Sequence, residues 1–136
     1  MCEVFIDASV LVAILLKEPD ARYLAAAMDA AGRRATSPLA LYETVVVIMS
    51  KRATSRAVAE ELVREVLEAA QIEVIPISDE IGRAALDAFD RYGKGRSHPA
   101  QLNMGDCFAY GAARVLGVPL LYKGDDFART ELGRRT

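Results

Sequence analysis

Short strand-like runs alternate with longer helical runs along the whole of this 136-residue chain, and no other feature limits its fold as much. Glu3-Val4-Phe5-Ile6-Asp7 reads as a strand ending at Asp7. Residues 9–17 follow at once, with the length and the Leu and Ala content of a helix stopped near Pro19. Residues 20–31 read as an Ala-rich helix ending at Gly32, and residues 35–37 as a second strand. Ser37-Pro38 is an N-cap with proline at the first helical position, opening a helix to about Arg52. Residues 55–70 space their apolar side chains as an amphipathic helix does. A strand at 73–77, a helix capped by Ser78 and running to Tyr92, a polar loop at 93–103, a helix within 102–117 and a strand at 119–122 complete the series. Parallel neighbours need crossover connections, so this alternation implies an α/β domain with a parallel sheet. No linker, repeat or low-complexity tract interrupts it, and residues 1–136 are read as a single domain.

A chain of this length buries roughly two thirds of its unfolded surface, so a proper core is expected. Its 17 basic and 19 acidic residues give a net charge of -2, which excludes a global basic field for nucleic acid but not a local patch or a bound cation. Cys2 and Cys107 have neither zinc-ligand spacing nor the density of a disulfide scaffold, and both are read as free thiols in a reducing compartment. The apolar run 8–16 is too short to span a bilayer and the start is not a signal peptide, so a soluble cytoplasmic protein with no membrane partner is expected.

Against this background three acids stand out by isolation. Asp7 is the only charge between Glu3 and Lys17, Glu43 the only one between Arg34 and Lys51, and Asp106 shares the stretch 102–122 with Arg114 alone. Glu43 has Leu39, Ala40, Val46 and Val47 one turn away, and an ionised carboxylate among them must be protonated, paired or bound to a cation. Each acid also has a plain structural role open to it. Asp7 suits the N-cap of the following helix, Asn103 to Asp106 suits a capping box, Glu43 could pair with Arg114, and Asp125 and Asp126 suit a turn. Topology weighs against coincidence, because ligands of open parallel sheets bind outside the carboxyl ends of the strands, where Asp7, Asp106 and Asp125 all fall. Converging carboxylates repel unless a hard divalent cation lies between them, and oxygen-only ligation suits magnesium or manganese over zinc. The chemistry this implies is metal-assisted attack on a phosphodiester.

The segments VFIDAS, SPLALYE, LNMGDCFAYGAAR and PLLYKGDDFART, in this order and at these separations, resemble those of PIN-domain ribonucleases, specifically VapC-type toxins of bacterial toxin–antitoxin pairs. The resemblance covers essentially the whole chain. It implies a PIN-like three-layer α/β/α fold with a short parallel sheet and an acidic pocket that binds Mg2+ or Mn2+. It places Asp7, Glu43 and Asp106 at three acidic metal-binding and catalytic positions and Asp125 at the fourth, with Asp126 as the other residue in that region. Ser9 resembles the family's hydroxyl beside the metal, and the resemblance implies that Asn103 contacts the same pocket. It further implies an RNA substrate, a VapB-like antitoxin and a homodimer, with the apolar-rich helices in residues 20–70 as candidate antitoxin surfaces.

Lys94 and Arg96, in GKGRSH, are candidate RNA contacts near the expected mouth of the site, while the lone His98 is assigned no chemistry. Two other classes fit less of the chain. A haloacid-dehalogenase-type phosphatase wants an acid where Ser9 stands, and a phosphoacceptor receiver wants an acidic pair before Asp7. A catalytically inactive PIN-like module that only binds a partner would have lost acids that are retained here.

Overall fold

Val4 and Ile6 join one hydrophobic layer and Phe5 the other, and all three are buried, so β1 (Glu3–Ile6) is covered on both faces. The computed structural model describes residues 3–124 and 127–130. After β1 come α1 (Ala8–Leu15), α2 (Ala21–Asp29), β2 (Arg33–Thr36), α3 (Pro38–Arg52), α4 (Arg56–Ala69), β3 (Ile72–Val74), α5 (Asp79–Tyr92), α6 (Met104–Leu116) and β4 (Leu120–Leu121). A 3-10 turn follows at Phe127–Arg129. The strands form one parallel sheet in the order β3-β2-β1-β4. On one side Val4 and Ile6 pack with Val10, Leu11, Leu24 and Val63 of α1, α2 and α4; on the other Phe5 packs with Ala85, Tyr110 and Leu120 beneath α5 and α6. This is the expected three-layer α/β/α arrangement.

The caps read from sequence are present. Ser37 accepts from the Ala40 amide with proline following it, Ser55 accepts from Val58, Ser78 accepts from Ile81, and Asn103 and Asp106 form a reciprocal capping box. Strand limits differ more. β2 starts at Arg33, because the exposed Arg33 reaches Glu3 and Glu73 on its neighbours and the Arg34 guanidinium donates to the carbonyls of Met28, Asp29, Ala31 and Ala70. Charged residues thus hid the start of a strand whose sheet edges satisfy them. β3 ends at Val74, with Pro76 unable to donate to a ladder. In α6, a Cβ at Gly111 would lie 2.9 Å from backbone atoms of Ile81 and Ala85, so glycine permits the close approach of α5. Among the described residues no helix is long and apolar enough to cross a membrane.

Candidate functional site

Because β1 and β4 are adjacent and parallel, the residues that follow them leave the sheet together. Asp7, just past β1, is 5 % exposed and caps α1. Its Oδ2 accepts the Ser9 amide at 3.0 Å and the Ser9 hydroxyl at 2.6 Å. The Ser9 Oγ in turn accepts the Lys123 amide, beyond β4, at 2.9 Å. The cap is therefore real, and Asp7 also lines a cleft of about 460 Å³.

Glu43 and Asp106 line the same cleft, with Glu18, Ser9 and Lys123, against an apolar wall that includes Val12 and Val47. Glu43 reaches it from the second turn of α3 and lies against Gly105 of α6, where any Cβ would overlap its carboxylate. That close approach is why a glycine stands in the first turn of α6. No group among the described residues hydrogen-bonds the Glu43 carboxylate. Burial, and then the negative charge of Asp7, push its pKa from the ordinary 4.5 to about 7. The ion pair with Arg114 does not form; Arg114 is exposed near the end of α6 and donates to the Tyr110 hydroxyl at 3.0 Å. Asp106 accepts the Asn103 amide at 3.1 Å, and its own amide donates to Asn103 Oδ1 at 2.8 Å, so it too is both a capping residue and a wall of the cleft. The neighbouring Cys107 thiol is pushed up to about 11 by burial and then by the Asp106 charge, consistent with a packing role.

The structure thus brings Asp7, Ser9, Glu43 and Asp106 together. Asn103 is exposed and serves as the α6 cap without lining the cleft. Lys94 and Arg96 do not reach the cleft either, which corrects their expected place at its mouth. Arg96 pairs with Asp90 at 3.1 Å along a separate recess beside His98, because the loop folds back on the end of α5. His98 accepts the Ala100 amide and lies edge-on to Tyr92, a loop-shaping role. Asp125, Asp126 and Cys2 lie outside the described residues. Sequence reasoning missed Glu18 and Lys123. Their ion pair, 2.5 Å long, joins positions far apart in the chain, and neither position carries a local signal.

The donor set of the cleft suits a hard divalent cation: every acidic group is an oxygen donor, and burial together with the Asp7 charge makes Glu43 costly to ionise without a cation. Among the described residues no three His, Cys, Asp or Glu side chains stand together as a ready-made cage, so the fit is one of donor chemistry and charge.

The family model for the PIN domain matches residues 4–132. A VapC ribonuclease of Rhizobium meliloti is 43% identical, the match covering 95% of this chain and 99% of that protein. Ribonuclease VapC30 of Mycobacterium tuberculosis is 41% identical, over 93% of this chain and 94% of its own length. Among solved structures, a toxin–antitoxin complex from Klebsiella pneumoniae aligns with a TM-score of 0.70 at 18% identity, covering 95% of this chain and 93% of that one. The sarcin-ricin loop cleaving toxin VapC20 of Mycobacterium tuberculosis aligns with a TM-score of 0.70 at 15% identity, covering 92% of each chain. At such identities the structural matches speak for the fold alone.

Proposed function

Because the chain belongs to the PIN domain family, as a VapC-type member, we propose that it is a divalent-metal-dependent endoribonuclease, the toxin of a toxin–antitoxin pair, acting as one unit over residues 1–136. The observation that carries this reading is the Glu43 carboxylate. It is half-buried, close enough to Asp7 to feel its charge, and met by no hydrogen-bond donor among the described residues. Folding alone leaves such a group unfavourable, and a cation in the cleft removes the penalty.

Asp7, Glu43 and Asp106 would hold Mg2+ or Mn2+, with Asp125 as the proposed fourth acid. The ion, when bound, lowers the pKa of water and stabilises charge on the attacking and leaving oxygens of a phosphodiester. The chain's own residues do the rest. Ser9, with its amide and its hydroxyl, holds Asp7 through Oδ2 at the wall of the cleft. The capping box fixes Asp106 through the Asn103 amide. With its pKa raised to about 7, Glu43 is partly protonated near neutral pH in the metal-free protein and must be ionised to become a ligand. Gly105 leaves room for that carboxyl against α6.

The partners follow from the same reading: RNA as substrate, a VapB-like antitoxin and a second copy of the chain. Support for an antitoxin surface within residues 20–70 comes from an apolar groove of about 470 Å³ between α3 and α4, lined by Leu41, Tyr42, Val45, Val46 and Met49 with Val63. The test is cleavage of RNA by the purified protein with Mn2+ or Mg2+, compared with excess EDTA and with Asp7→Asn. Undiminished cleavage in EDTA would sink the metal reading. Manganese binding without any cleavage would favour the inactive binding module, and hydrolysis of small phosphomonoesters in place of RNA would favour the phosphatase class.

A further inference from the structure

Lys123 is the only cation lining the acidic cleft among the described residues, and it is attached at two points. Its backbone amide donates to Ser9 Oγ at 2.9 Å, at the start of α1. Its ammonium donates to Glu18 Oε1 at 2.5 Å and lies 3.2 Å from Asp20 Oδ1, in the connection that leaves the end of α1. A serine hydroxyl has one proton. With the Lys123 amide occupying its acceptor side, that proton is directed at Asp7 Oδ2, 2.6 Å away.

We infer that Lys123 is a positioning residue for Asp7: its ion pairs with Glu18 and Asp20 latch the segment after β4 onto the connection between α1 and α2, so that Ser9 holds the carboxylate in one orientation at the cleft. The inference rests on the metal-site reading only for its consequence in binding, since the latch itself consists of contacts within the protein. Two features favour a positional role over a contribution to global stability. The three side chains are 30 to 39% exposed, a setting in which ion pairs contribute little to stability. Asp20 Oδ1 is nonetheless buried without a hydrogen bond, so the Lys123 charge is what compensates it. Without that charge, Glu18 and Asp20 face each other across the same small space, and the segment carrying the Lys123 amide loses its outer anchor.

The test compares wild type, Lys123→Met, Lys123→Arg and Glu18→Gln by amide hydrogen exchange in metal-free buffer and by Mn2+ titration calorimetry. The Lys123 amide is expected to lose protection in Lys123→Met and Glu18→Gln and to keep it in Lys123→Arg, whose guanidinium still spans both acids. Mn2+ affinity is expected to fall about tenfold in Lys123→Met, the cost of losing an outer partner of a ligand. It should not fall further when Lys123→Met is added to Ser9→Ala, because that relay is already cut. Unchanged protection in both Lys123→Met and Glu18→Gln overturns the latch, as does an undiminished effect of Lys123→Met in the Ser9→Ala background. If wild type binds no Mn2+, the metal reading fails by itself, and the exchange measurement still decides the latch.

Discussion

One helix, α3, borders two recesses of different character. Toward α6 and α1, α3 presents Glu43 and Val47 to a cleft whose other walls carry Asp7, Glu18 and Asp106. Toward α4 it presents Tyr42, Val45, Val46 and Met49 to a mostly apolar groove bordered by Arg56, Glu60 and Arg64, where Tyr42 is 67% and Val46 46% exposed. Each face carries the defect that folding by itself would remove: on one the Glu43 carboxyl with no hydrogen-bond donor among the described residues, on the other apolar area without cover. Two opposite defects on adjacent faces of one helix suit the two different partners proposed above, a cation with its anionic substrate and an apolar protein segment. They also account for a helix that is apolar on nearly every side although it is not fully buried.

Separating the two faces by mutation is the way to test that division. The largest effect is expected from Asp7→Asn or Asp106→Asn. RNA cleavage should fall by more than the roughly 10- to 100-fold typical of outer partners of a metal ligand, while antitoxin capture in a pull-down is unchanged. Gly105→Ala should come next. Its methyl displaces the Glu43 carboxylate, and a small misplacement at a reacting site costs about 100-fold in rate, although alanine by propensity favours the helix by about 1 kcal/mol. The signature is lost cleavage at an unchanged or higher Tm; a fall in both would mean that Gly105 serves folding rather than the site.

On the face toward α4, Val46→Asp or Tyr42→Asp should weaken antitoxin binding by at least about 2 kcal/mol, about 30-fold, and leave cleavage by the free protein intact. Loss of cleavage in these variants would show that the faces are not independent. The smallest effect is on stability, through Glu43. Its folded pKa of about 7 lies above the ordinary 4.5, so folding takes up a proton between those values. The contribution to stability is fully present below about pH 4.5 and is lost as pH rises through about 7. In metal-free buffer Glu43→Gln should therefore raise Tm relative to wild type by an amount that grows between about pH 4.5 and about 7 and levels off above, and the two should converge in acid. Added Mn2+ should reverse the order above pH 7, because only the wild-type carboxylate can then act as a ligand.

Much of the site was legible because its defect is local. A single acid in a run of apolar neighbours is visible without coordinates, which is how Asp7, Glu43 and Asp106 stand out. The capping signals at Ser37, Ser55, Ser78 and Asn103 were legible for the same reason, since a cap is settled within four residues of chain. Arg33 and Arg34 concealed the start of β2, because the partners that make two arginines tolerable in a central strand come from α2, α4 and the neighbouring strands.

The sequence by itself determined the order of elements, the parallel sheet and the isolation of the acids, all of which depend on interactions a few residues long or on the period of apolar side chains. Only the tertiary structure decided that the isolated acids share one cleft, that Glu43 lies on a glycine of another helix, that Arg96 turns away, and that Lys123 closes the edge of the site through Glu18 and Ser9. Those contacts join residues up to 114 positions apart. Nothing in the local surroundings of Lys123 or Glu18 distinguishes them from ordinary surface charges, because their partners are set by strand order and helix packing rather than by neighbours in the chain.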